Sequence, residues 1–205
     1  MKKKSSLIVL YILSLGIISI ISIIACNQNQ SLSDNLDSNI DTSAESEVER
    51  GEYLVQIMGC NDCHSPKRMG PKGPEIIPEL MLSGFPADRG IVEFRDTMIQ
   101  KGFAQFYPDL TAAAGPWGIT FAGNLTPDES GIGTWSEEQF ITAFTKGKFK
   151  GMENGRNLLP PMPVENYREM KREDVIAIFS YLKSIKPVRN VVPANISPDK
   201  MLANH

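Results

Sequence analysis

Between residues 46 and 59, Val48, Gly51, Val55 and Met58 recur at intervals of three and four, which predicts an amphipathic helix from Ser46 to Gly59. Gly51 falls on the apolar face, where a missing side chain lets another element come close. The same period predicts a helix from Glu137 to Lys146 with Phe140, Ala143 and Phe144 on one side. Ser136 and Gln139 supply a capping box for it, and Gly147 stops it. A third helix, near Arg172 to Ile185, aligns Val175, Ile178, Phe179 and Leu182 and is closed by Pro187. Asn166 with Glu169 forms a further capping box ahead of a short turn, so the start of this last helix stays open. From Pro66 to Pro127 the density of Gly and Pro predicts loops, with short strands around Glu93 to Phe106. Helices carry the apolar faces, so the expected fold class is all-α.

The beginning of the chain reads as an address. Lys2, Lys3 and Lys4 precede a stretch from Leu7 to Ala25 that carries no charge, the arrangement of an export signal. Ile23-Ile24-Ala25-Cys26 resembles the lipobox of bacterial lipoproteins, which implies cleavage before Cys26 and acylation of its thiol. An uncleaved signal anchor is the alternative, since the run is long enough to span a bilayer. Asn27 to Glu49 holds six acidic residues and no basic one, and residues 26–46 are too polar to bury a core. The expected organisation is a signal peptide at 1–25, a flexible acidic tether at 26–46, a folded domain at 47–193 and a tail at 194–205. With 21 Lys and Arg against 24 Asp and Glu, the chain has a net charge of -3, which argues against nucleic-acid binding through phosphate neutralisation.

The chemistry concentrates in Cys60-Asn61-Asp62-Cys63-His64. C-x-x-C-H is the attachment signature of c-type haem, in which two thiols one helical turn apart form thioethers and the adjacent imidazole ligates iron. A zinc site needs four ligands, and the other histidine is His205 near the C-terminus. A thioredoxin-like motif would sit near a βαβ pattern, which is missing here. A Cys60–Cys63 disulfide suits an exported protein but gives His64 no role. The sixth ligand is read as Met162, because Pro160, Pro161 and Pro163 frame it and limit its backbone freedom. Met170 and Met152 are the reserves, whereas Met58 is read as packing.

Gly51-Glu52-Tyr53-Leu54-Val55 before Gly59-Cys60, the central Gly123-Asn124-Leu125-Thr126-Pro127-Asp128, Gly131 to Trp135, and Leu159-Pro160-Pro161-Met162-Pro163 ahead of Asp174 to Ser184 together resemble class I cytochromes c. The narrower resemblance is to the cytochrome domains associated with bacterial periplasmic dehydrogenases. It covers residues 51–193 and weakens from Ile76 to Ala112, where the chain carries an insertion. It implies crossed N- and C-terminal helices, one covalent haem c, and a carbonyl from Gly73-Pro74, or from Gly70-Pro71, that orients the proximal histidine. Trp117, Trp135, Asn124, Arg156 and Asn157 are candidate donors to the haem propionates. The expected function is one-electron transfer between redox proteins such as a dehydrogenase, an oxidase or another cytochrome, with the chain held at a membrane by its lipid. It is expected not to be an enzyme. An open-site haem enzyme or gas-binding protein is the alternative if Met162 does not ligate.

Overall fold

In a computed structural model of the chain, the described residues are Ser46 to Leu202 apart from Val92, Glu93 and Arg95. The expected signal peptide, Cys26 and the expected tether up to residue 45, together with His205, lie outside the described residues.

Helix α1 spans Glu47–Ile57. Ser46 accepts from the Glu49 amide while the Glu49 carboxylate accepts from the Ser46 amide, which satisfies two donors that a helix start leaves unpaired. Helix α2 is the five-residue turn Cys60–His64. The later helices are α3 (Asp96–Gln100), α4 (Glu137–Lys146), α5 (Val164–Tyr167), α6 (Arg172–Ser184) and α7 (Pro198–Leu202). Helix α4 has the limits its caps predict, with Ser136 and Gln139 in reciprocal hydrogen bonds and Gly147 left-handed. Asn166 does not open a helix, because α5 starts at Val164 behind Pro163 and contains Asn166.

The all-α expectation is overturned. Strands β1 (Lys67–Gly70) and β2 (Gly73–Ile76) form an antiparallel hairpin, and β3 (Gln105–Phe106), β4 (Ala112–Gly115) and β5 (Gly118–Phe121) form a second antiparallel sheet in the order β3-β4-β5. The segment read as loops thus supplies its own backbone pairing, with Gly115 opposite Gly118 across a two-residue turn. Gly118 has φ 97°, a conformation that closes so tight a turn and that side chains disfavour.

Two apolar clusters result. In the first, Leu54 and Val55 of α1 meet Phe140 and Phe144 of α4 and Val175, Ile178 and Leu182 of α6, together with Leu82 and Ile132. Helices α1 and α6 touch at Gly51, where a Cβ would lie 1.9 Å from the carbonyl oxygen of Ala177. An ion pair from Arg50 Nε to Asp174 Oδ1, 3.0 Å long, fixes the same contact. The second cluster lies on one face of the larger sheet, where Ala112, Ala114 and Ile119 meet Phe85, Phe94, Ile99 and Met201. Residues beyond Pro193 join this cluster, since Ile196 bridges Ile119 through two backbone hydrogen bonds and Met201 of α7 is buried.

Candidate haem attachment site

Gly59, left-handed at φ 68°, turns the chain from α1 into α2. The new turn places Cys60 and Cys63 on one helical face, both as free, half-buried thiols. Burial pushes the Cys60 thiol up to about 11. Burial, followed by the charge of Asp62, also raises Cys63. Thiol–disulfide oxidoreductases need the opposite shift, toward thiolate.

His64 is held at two points. Its carbonyl accepts from the amide of Gly84 at 2.8 Å, and its Nδ1 lies 2.8 Å from the carbonyl oxygen of Gly123. A carbonyl can only accept, so Nδ1 carries the proton and the lone pair of a neutral ring falls on Nε2. Burial lowers the ring's pKa, and the Gly123 bond only partly restores it, which favours the neutral form that binds metal. The orienting carbonyl is therefore not that of Gly73-Pro74 or Gly70-Pro71, because both segments belong to the β1–β2 hairpin. Gly84 and Gly123 can lie together because Gly84 lacks a side chain: a Cβ there would sit 2.4 Å from the oxygen of Ala122.

Met162 and Cys60 pack against the same core cluster, as do Met58 and Met170. Met152 is 51% exposed, a poor position for an internal ligand. Two links tie the Met162 segment to its surroundings. Thr120 of β5 donates its hydroxyl to the carbonyl of Pro160 at 2.9 Å. Tyr167, in the helix that follows Met162, has its phenol pKa raised by burial and, to a lesser degree, by the fields of Cys60 and Cys63. Tyr167 thus stands within electrostatic reach of both thiols.

The candidate propionate donors separate cleanly. Asn124 is committed, its Nδ2 donating to Ser130 Oγ and the carbonyl of Val188, and its Oδ1 accepting from Thr126. Arg156 stacks on Phe149 at 3.7 Å and donates to the carbonyl of Asn157. The Asn157 side chain accepts from Lys148, and Trp135 packs on the core. Trp117 differs, because its Nε1 is buried and has no acceptor among the described residues. A Cβ on Gly115 would strike the Trp117 ring at 2.4 Å. Gly115 pairs with Gly118 and Ala113 with Thr120, so the ring covers the sheet face that also carries Thr120. An orphaned indole donor on the side of the Met162 loop suits a carboxylate acceptor.

Sequence reasoning missed Gly123 and Lys67. The Gly123 acceptor is a backbone atom without a residue signature. Lys67 is a charged residue just past the motif, and its Nζ reaches the carbonyls of Asn61, Asp62, Ser65 and Asp109 at 2.7 to 3.3 Å.

No family model matches the chain. It is similar to the gluconate 2-dehydrogenase cytochrome c subunit of Pantoea cypripedii, with 30% identity over 143 residues, 69% of this chain and 24% of that protein. The fructose dehydrogenase cytochrome subunit of Gluconobacter japonicus is 27% identical over 143 residues, again 69% of this chain and 22% of the relative. A shorter stretch of 81 residues, 39% of this chain and 7% of the relative, is 40% identical to a nicotinate dehydrogenase subunit of Pseudomonas putida. The chain therefore spans no more than about a quarter of the length of these curated relatives. Its homologues matched over 143 residues are cytochrome subunits of dehydrogenases.

Proposed function

We propose that the chain is a monohaem class I cytochrome c that carries single electrons, with a dehydrogenase as one redox partner, and that it is exported and anchored to a bacterial membrane through lipid on Cys26. The observation that carries the reading is the state of the C-x-x-C-H turn: two free thiols one turn apart beside a histidine whose Nδ1–H is already donated, leaving Nε2 for a metal. The cytochrome subunits among its relatives support the electron-transfer role.

Cys60 and Cys63 would hold the haem through thioethers, His64 and Met162 would ligate its iron, and Trp117 Nε1 would donate to a propionate. When bound, haem c supplies a one-electron Fe(III)/Fe(II) couple. The chain's own part is to keep His64 neutral and oriented, to keep Met162 in place through the Thr120–Pro160 bond, and to exclude other ligands.

The test is expression with haem-attachment machinery in an oxidising compartment, followed by denaturing electrophoresis and spectroscopy. The haem should stay with the denatured chain, and replacing both cysteines should abolish retention. Reduced wild type should resist carbon monoxide, while Met162→Ala should bind it and lose the long-wavelength ferric band of thioether ligation. Met170→Ala should do neither. A colourless denatured band rejects covalent haem, and carbon monoxide binding by the wild type replaces the carrier with an open-site haem protein.

A further inference from the structure

We propose that Lys67 is a built-in positive charge that raises the midpoint potential of the haem, an inference that rests on the haem reading above. The side chain crosses the C-terminal end of α2. Its Nζ lies 2.7 Å from the oxygen of Asp62, 3.0 Å from that of Ser65 and 3.3 Å from that of Asn61, and the oxygen of Asp109 completes the set at 3.0 Å. A five-residue helix leaves its last carbonyls without intrahelical donors, and an ammonium with three hydrogens is suited to collect them. The contacts fall on both sides of His64 in the chain, so the charge cannot move away from the proximal ligand without unmaking this cap.

Of its two acidic neighbours, one is paired elsewhere and the other is exposed. Asp109 is already neutralised by Arg89, 2.7 Å away in a largely buried ion pair, and offers Lys67 Nζ its backbone oxygen. Asp62 is exposed and meets Nζ through its backbone oxygen, while its carboxylate acts on the motif with the opposite sign. At the Cys63 thiol, burial and then the Asp62 charge push the pKa up, and Lys67 opposes them to a lesser degree. The segment from Ile76 to Ala112 thereby gains a role: it carries Arg89 and Asp109 to the back of the attachment turn and closes the cage around Nζ.

The redox consequence follows from charge alone. A haem held by Cys60, Cys63 and His64 would take one electron from a reduced protein partner, Fe(III) going to Fe(II) with no bond made or broken, so the positive charge there would fall by one. A fixed cation nearby therefore favours the reduced form.

Potentiometry of haem-loaded Lys67→Met and Lys67→Gln decides the matter, with Lys67→Arg as the charge-retaining control. Both neutral variants should shift the oxidised-to-reduced equilibrium at least threefold toward oxidised, roughly 28 mV at 59 mV per tenfold. They should keep the ferric thioether band and the resistance to carbon monoxide, and Lys67→Arg should stay near wild type. An unchanged midpoint in a neutral variant that keeps its thioether band overturns the proposal. Failure of both neutral variants to retain haem beside a normal Lys67→Arg also overturns it, since Lys67 would then be a structural cap alone. A wild-type chain that takes up no haem refutes the earlier reading before any variant is made.

Discussion

Thr120 and Pro160 are 40 residues apart in sequence, yet the threonine hydroxyl donates to the proline carbonyl at 2.9 Å. The bond joins the central hairpin to the loop that presents Met162, and the chain leaving β5 at Phe121 runs on through Ala122 to the Gly123 carbonyl that orients His64. Both candidate axial ligands are thus positioned from one piece of backbone. Thr120→Val keeps the shape of the side chain and removes the donor. It should lower stability by about 1 kcal/mol, the usual worth of one such bond, and let carbon monoxide reach the reduced haem faster than in wild type. Urea denaturation and carbon monoxide trapping measure the two effects, and no change in either would detach Thr120 from the ligand loop.

Gly51→Ala gives a test of helix packing with an inverted sign. In an exposed helix the change should stabilise by about 1 kcal/mol, because alanine is the better helix former. Here the added methyl would meet the Ala177 oxygen at 1.9 Å, and a backbone atom cannot turn aside. A net loss of roughly 2 kcal/mol is expected, read from the denaturation midpoint. A stabilised variant would mean that α1 and α6 are farther apart than described.

Much of this architecture is legible in the sequence, for reasons that differ by element. Ser136, Gln139 and Gly147 act on their own neighbours, so the limits of α4 are written locally. The spacing of Val175, Ile178 and Leu182 likewise marks the buried face of α6. Strand β4 is illegible by the same standard: Ala112-Ala113-Ala114-Gly115 has weak strand propensity, and burial of all four residues removes any alternation. The turn at Pro116-Trp117 lacks the Asn-Gly or Asp-Gly that announces a hairpin, although glycine on both sides is a usable sign. At the site, the motif names Cys60, Cys63 and His64, but the choice of Gly123 over Gly73 depends on which loops meet, and only the tertiary structure contains that.

Acid should expose the ion pair behind the attachment turn. Burial pushes the Asp109 carboxyl up, but hydrogen bonds from Thr111 and Arg89, together with the Arg89 charge, outweigh it and hold the pKa below the ordinary value. A carboxyl depressed in the folded state contributes stability that is fully present above its unfolded pKa, about 3.9, and is lost as the pH falls through the folded value. Stability should therefore decline below about pH 4, and Asp109→Asn should be less stable at neutral pH and show a shallower acid decline. Denaturation curves at pH 7 and pH 3 compare the two, and parallel losses would remove Asp109 from the acid response.

Cys26→Ser should release the haem domain from membranes with its absorption spectrum unchanged, because thioether-linked lipid at that residue is the proposed anchor. Fractionation followed by a carbonate wash decides it. A variant that stays with the membrane identifies the apolar run from Leu7 to Ala25 as an uncleaved span.

The attachment turn is built from five consecutive residues, whereas the carbonyl that orients His64 comes from 59 residues farther along. The proposed thioethers at Cys60 and Cys63 would need only a short length of chain, while the proposed ligation of iron would need distant loops to close, the slower kind of event in folding. Maturation would therefore divide in time. On the proposed reading, an enzyme that joins haem to the emerging polypeptide could act before any tertiary structure exists, and the later closure of Gly84 and Gly123 on His64 would be the checkpoint that separates finished carriers from chains that merely bear the pigment.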